Sequence, residues 1–186
     1  MSYSFDKAFN ATILVEGGYS NNPYDSGGET MYGITVAVAR AHGYTGPMRS
    51  LSLDEAKRIY KKSYWDIIKL DDVAAISERI AMKMFDIGVN MGTTYAVRFL
   101  QSGLNIFNRR GKDYPDIIVD DKIGVNTLGA LKAFIKLRKL NGEIVLLKDL
   151  NVQQGMRYRE ISKDNGKNEE FMFGWYLNRI DIPGLG

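Results

Sequence analysis

Cysteine is absent from the 186 residues, and histidine occurs once. Without thiols there is no disulfide framework and no thiolate nucleophile, which suits a chain folded in a reducing compartment. A single histidine, His42, excludes histidine-rich metal sites and argues against a Ser-His-Asp triad. In "ARAHGYTG" it reads as a helix-end residue. No apolar run approaches the roughly 18 residues of a membrane span. The opening "MSYSFDKAFNAT" is interrupted by Asp6 and Lys7 and has no signal-peptide apolar core. Walker and dinucleotide motifs are missing, and "DNGKNEE" lacks the spaced ligands of a calcium loop. Neither a metal nor a cofactor is expected.

What is present is ordinary globular usage, 45% hydrophobic and 25% charged. The net charge of +3 is unevenly placed: 10 Lys and Arg face 11 Asp and Glu through Gly92, against 15 and 11 thereafter. A mildly basic second half suits an anionic partner, or is simply a solvated surface.

The periodicity predicts a mainly α protein with one small β-hairpin near the N-terminus. Phe5, Ala8, Phe9, Thr12 and Ile13 recur at helical spacing and predict a helix ending near Glu16-Gly17. The glycine-rich stretch that follows suggests a turn at Asp25-Ser26-Gly27-Gly28. Ser52 and Glu55 form a capping box before a helix running through Tyr64 and Trp65. Asp71 or Asp72 opens another helix with Ile76, Ile80, Met84 and Ile87 on one face, and Thr93 or Thr94 caps the next. "NRRGKDYPDIIVDDKIGVN" is the best candidate for a boundary or inserted loop. A long helical segment and a short aromatic helix, "EEFMFGWYLNRI", end the chain.

The stretch "ILVEGGYSNNPYDSGGETMYGIT" (13–35) carries the candidate chemistry. Glycoside hydrolysis needs a carboxylic acid with a raised pKa and a second group that stabilises an oxocarbenium-like transition state or orients water. Glu16 follows an apolar run at a helix C-terminus, where both burial and the helix dipole disfavour its ionised form. Asp25 lies among Asn21, Asn22 and Ser26, a wetter setting that keeps a carboxylate charged. The same residues also fit a helix end followed by an Asx-turn, and the pattern alone leaves both readings open.

"EGGYSNNPYDSGGETMYGIT" closely resembles the N-terminal signature of the glycoside hydrolase family 108 N-acetylmuramidases, which are phage endolysins and bacterial secretion-associated muramidases. The signature residues are Glu16-Gly17-Gly18-Tyr19, Asp25, Gly27-Gly28-Glu29-Thr30 and Gly33-Ile34-Thr35. The Glu, Asp, Thr order is also similar to that of phage-type lysozymes, whose Asp and Thr stand one residue further apart. "LSLDEAKRIYKKSYWD" and "MFDIGVNMGTTYAVRFLQ" resemble further family segments. "VDDKIGVNTLGAL" and "FMFGWYLNRI" resemble its peptidoglycan-binding-like C-terminal region, with Lys122 where glycine is common.

The resemblance implies a lysozyme-like helical fold, with a catalytic region over 1–92 and a peptidoglycan-binding-like region over 93–186 packed as one unit. It implies cleavage of the β-1,4 bond between N-acetylmuramic acid and N-acetylglucosamine. Glu16 would be the general acid, Asp25 would stabilise charge or activate water, and Thr30 would hold water or a sugar. The rival readings are a lytic transglycosylase and a non-catalytic wall- or nucleic-acid-binding module; the intact Glu-Asp-Thr set favours hydrolysis. The expected partner is the glycan strand rather than nucleic acid, bound by a monomer with no membrane span. Such a protein would stay cytoplasmic until a holin or a dedicated export route released it to the periplasm or wall.

Sugar rings stack on aromatic faces and N-acetyl groups bond amides. Tyr19, Tyr32, Tyr64, Trp65 and Asn90 are the candidate substrate-binding residues, the aromatic ones equally readable as core. Phe171, Phe173, Trp175 and Tyr176 on one short helix read first as a docking face. Arg179 could bond a peptide carboxylate or cap a helix end. Lys132, Lys136, Arg138 and Lys139 form a basic helical face.

Overall fold

The computed structural model describes residues 3–13, 18–20 and 28–180, apart from the side chain of Lys167. Among them are eight α-helices and one two-stranded antiparallel sheet. The first helix, α1 (Tyr3–Ile13), buries Phe5, Ala8, Phe9, Thr12 and Ile13, the face set by the 3–4 spacing. Phe5 meets Trp65 edge-on with ring centroids 5.5 Å apart and Phe85 at 5.8 Å, while Phe9 meets Tyr60 at 5.5 Å. This aromatic cluster joins α1 to α3 (Leu53–Tyr60) and α5 (Glu78–Met91).

The hairpin pairs β1 (Thr30–Met31) with β2 (Ile34–Thr35), Thr30 opposite Thr35 and Met31 opposite Ile34. That register leaves Tyr32-Gly33 as a two-residue loop, and both have positive φ, 53° and 71°. This is the primed turn whose twist matches the strands. Glycine adopts it freely, whereas Tyr32 costs roughly 1–2 kcal/mol in the left-handed region. The Tyr60 hydroxyl donates to the Tyr32 carbonyl at 3.0 Å and offsets part of that. The tight hairpin turn is therefore at Tyr32-Gly33; of the expected turn, Asp25, Ser26 and Gly27 lie outside the described residues. Ser20 pairs with Thr30 through both backbone hydrogen bonds, 3.0 and 2.8 Å, and so closes the chain segment between them.

Thr35 caps α2 (Val36–Ala41), and His42 ends it, its Nε2 3.0 Å from Ser63 Oγ. Ser52 caps α3 through the Glu55 amide, but the Glu55 carboxylate engages Arg58, so one half of the capping box is made. Helix α3 continues into a π-helical stretch, Lys61–Trp65, and a 3-10 turn, Asp66–Ile68.

The single helix expected after Asp71 is two, α4 (Leu70–Ala74) and α5, because Ser77 Oγ accepts the Ile80 amide and starts a new cap. Helix α6 (Thr93–Phe107) begins directly after Gly92 at φ 97°, so Thr93 is its first residue rather than its cap. Helix α5 is buried at Ile80, Ala81, Lys83, Met84, Phe85, Ile87 and Gly88 and packs against α1, α4, α6 and α7 (Val125–Asp164).

Residues 108–124 have no regular element, yet Tyr114 and Ile123 enter the core, and Tyr114 donates to the Leu104 carbonyl at 2.7 Å. Helix α7 is broken at Lys139 (φ 50°, ψ −139°). Helix α8 (Glu169–Arg179) buries no residue fully.

Helices α6 and α7 meet at Gly103, where a Cβ would come within 2.6 Å of Asp149 Oδ2 and 2.9 Å of Leu146 Cδ1. Burial there pushes the Asp149 carboxyl above its ordinary range, although Gln153 donates to it at 2.7 Å. A raised folded-state pKa means that the native chain binds this proton more tightly than the unfolded one, so stability falls as pH rises through the carboxylate range. Asp149→Asn is expected to melt above wild type at pH 7 and to lose that advantage below the carboxylate range, as thermal unfolding at the two pH values will show.

Candidate active site

Helix α1 ends at Ile13, three residues before Glu16, and its last carbonyls need partners from outside the helix. The partner comes from the far end of the chain. Arg179, the last residue of α8, donates through Nη1 to the Thr12 carbonyl at 3.4 Å and to Asp86 Oδ1 at 2.9 Å. Asp86, on α5, also accepts from Gln154 Nε2 at 3.1 Å and faces Lys83 at 3.5 Å. The Lys83 side chain is 2% exposed, and its ammonium donates to the Arg179 carbonyl at 2.6 Å. A buried ammonium needs such partners, because desolvating it alone would cost several kcal/mol. Burial, with Asp86 nearby, pushes the Tyr158 hydroxyl up to about 12, so it serves this network as a neutral group.

Beside a cleft over Ala8, Ala11, Met82 and Lys83, two further grooves meet at Arg179. One is lined by Thr12, Ile13, Tyr32, Gly33, Tyr60, Val89 and Arg179, and so runs between the end of α1, the hairpin turn and α5. The Tyr60 hydroxyl at its back is pushed well above its ordinary value by burial and stays protonated. The other is lined by Asn90, Glu170, Phe171, Gly174, Trp175, Asn178 and Arg179. The first lies at the end of α1 and beside the hairpin that carries Thr30.

Glu16 and Asp25 themselves lie outside the described residues. Thr30 is half-buried, two residues before the Tyr32 turn, with its backbone paired to Ser20. Tyr32 lines the first groove and Asn90 the second. Asn90 donates to the Asp86 carbonyl at 2.8 Å and to Asp86 Oδ1 at 3.1 Å, and its own side-chain oxygen has no hydrogen bond among the described residues. The half-buried Tyr19 ring lies under the Arg49 guanidinium, 4.1 Å from it, and Tyr64 leans on Tyr60 with centroids 5.6 Å apart. Neither lines the two grooves.

Trp65 is a correction: it is 0% exposed, wedged against Phe5 and Phe85, with its indole N–H donating to Asp71 at 2.9 Å. The π-helical stretch that ends at Trp65 adds a residue to the turn, and the ring packs inward among the core aromatics. No sugar can reach it.

The aromatic helix is likewise only partly a docking face. Trp175 stacks on Tyr158 at 4.8 Å and Phe171 on Trp175 at 5.9 Å, while Phe173 is 79% exposed. Sequence reasoning missed Thr12 and Val89 as groove residues; both carry ordinary core patterning and give no separate signal. Among the described residues no cluster of His, Asp and Glu could hold a metal ion, and no helix is long and apolar enough to cross a membrane.

Two outcomes test this arrangement. Trp65→Ala is expected to cost about 3–5 kcal/mol of stability as a core deletion, measured by denaturant unfolding. A variant of wild-type stability with weakened polymer binding would return Trp65 to the cleft. Arg179→Met should speed amide hydrogen exchange in the last turn of α1 and in α8 ahead of α6; uniform protection would show that Arg179 does not hold those ends.

The glycosyl hydrolase 108 family pattern covers residues 9–92, and a pattern described as a predicted peptidoglycan domain covers 95–180. Comparison with curated proteins gave no match. Among solved structures, SagA of Brucella abortus is 25% identical, with a TM-score of 0.66 over 95% of this chain and 89% of that one. The fold is mainly α and lysozyme-like, with its small antiparallel sheet beside the groove. Residues 9–92 thus match the glycosyl hydrolase 108 family and residues 95–180 a predicted peptidoglycan domain, and the two patterns together account for nearly all of the chain.

Proposed function

We propose that this peptidoglycan hydrolase is an N-acetylmuramidase that cleaves the β-1,4 bond between N-acetylmuramic acid and N-acetylglucosamine, with Glu16 as general acid. The observation that carries this reading is the groove at the end of α1. Thr12 and Ile13 form one wall, the Tyr32-Gly33 turn another and Val89 a third, and the chain enters Glu16 three residues beyond Ile13.

Asp25 lies in sequence between Ser20 and Thr30, which pair with each other, and this supports a place for it near Thr30. The assigned roles are proton donation to the leaving oxygen by Glu16, stabilisation of the oxocarbenium-like charge or activation of water by Asp25, and positioning of water or sugar by Thr30. Lysis of a bacterial wall, as an endolysin performs it, is the use that fits this reaction. Release to the wall by a holin or a dedicated export route belongs to the same reading.

The experiment is turbidity loss of purified sacculi followed by mass spectrometry of the products. Glu16→Gln keeps the shape and removes the proton, and should lower the lytic rate by about 100-fold or more. Asp25→Asn and Thr30→Ala should cost less, as positioning and electrostatic roles degrade gradually. Reducing ends support hydrolysis, anhydro ends a transglycosylase, and a wild-type rate in Glu16→Gln removes Glu16 from the chemistry.

A further inference from the structure

The second groove has a composition that a neutral sugar does not require. Its long wall is one stripe of α8, formed by Glu170, Phe171, Gly174, Trp175 and Asn178, and Asn90 of α5 faces it. Glu170 has no ion pair or hydrogen bond among the described residues, and neither has Asn178. Arg179 closes the end that opens on the first groove. Gly174 forms the floor, and a Cβ there would meet nothing within 4 Å. A glycine in the middle of an exposed helix costs roughly 1 kcal/mol relative to alanine, so the open floor is kept at the expense of helix stability. The Phe171 and Trp175 rings, 25° apart in plane, make an ordered apolar side.

We propose that this groove binds the peptide branch of the wall polymer, a short peptide carrying a free carboxylate and a free amino group, while the glycan occupies the first groove. The proposal rests on the muramidase reading above. Glu170 and Arg179 are nine residues apart on one helix, about 13 Å at 1.5 Å per residue. That length matches an extended peptide of about four residues. The guanidinium stands at the end nearest the glycan groove and the carboxylate at the far end, so the ligand's carboxylate lies close to the sugar and its ammonium further out. Asn90 and Asn178 offer amide groups to the peptide backbone between them, and Phe171 with Trp175 cover its apolar side. A glycan subsite would need the rings and amides but not the opposed charges.

The test is isothermal titration of the protein with two soluble ligands. One is a disaccharide carrying a tetrapeptide with a diamino acid at its third position; the other is the same disaccharide without peptide. Wild type is expected to prefer the peptide-bearing ligand by about 10-fold, worth about 1.4 kcal/mol. Glu170→Gln, at an exposed position with no ion pair or hydrogen bond among the described residues, should reduce that preference to threefold or less, and Gly174→Leu should abolish it by filling the floor. Equal affinity of wild type for both ligands, no measurable binding of either, or an undiminished preference in Glu170→Gln overturns the proposal. If a variant weakens both ligands equally, the groove is a sugar subsite and the proposal also falls. A wild type that keeps the preference but leaves sacculi undigested would instead sink the muramidase reading, so the two failures are distinguishable.

Discussion

Asp86 stands where α1, α5, α7 and α8 converge, and two of its four partners, Gln154 and Arg179, come from far along the chain. A carboxylate that is largely withdrawn from water requires compensation. It receives the Arg179 guanidinium, the Gln154 amide, the Asn90 amide and the neighbouring Lys83. Lys83 in turn donates to the carbonyl of Arg179, so α8 is held both by its last side chain and by its last backbone oxygen. Removing any one member leaves a charge with fewer partners than its burial demands. That makes the attachment of α8 a collective property rather than a sum of surface contacts.

The same constraint explains how a helix with no fully buried residue can form a wall of the molecule. Helix α8 touches the rest of the chain through the Tyr158–Trp175 stack, the Tyr176 hydroxyl donating to the Gly155 carbonyl at 3.1 Å, and Arg179. Its stripe from Glu170 to Asn178 remains open to a groove. Through Arg179 the region matching the predicted peptidoglycan domain reaches across to the end of α1, and the hydrolase region supplies Asp86 and Thr12 to receive it. The groove at the end of α1 is therefore built from both regions, the C-terminal one contributing Arg179.

The side facing the hairpin is set by a different balance. Tyr32 sits in a backbone region that favours glycine, and Tyr60 in the aromatic cluster donates to its carbonyl. The core thus reaches through Tyr60 to hold a strained turn at the groove edge. Strain kept in place by surrounding structure is characteristic of positions where geometry matters more than local stability.

The amphipathic faces of α1 and α6, the Thr35 and Ser52 caps, and the helix end at His42 follow from local rules, because periodicity and side-chain-to-backbone bonding act over a few residues. The same local rules indicated a small hairpin early in the chain, but not the β1–β2 turn at Tyr32-Gly33, whose register is tied to the burial of Ile34. They also read Trp65 as a cleft aromatic; only the π-helical stretch and the packing of Phe5 and Phe85 send it inward. Asp86 and Lys83 look like ordinary surface charges along the chain, and Arg179, read there as a carboxylate ligand or a helix cap, is 93 residues from Asp86. By itself the sequence determined the helical class, the family signature around Glu16, Asp25 and Thr30, and most helix ends, since each is written in residues close along the chain. Which charges are buried together, which aromatics line a groove and which end of α1 is held from α8 were decided by tertiary structure, because burial and ion pairing depend on distances that only the folded chain creates.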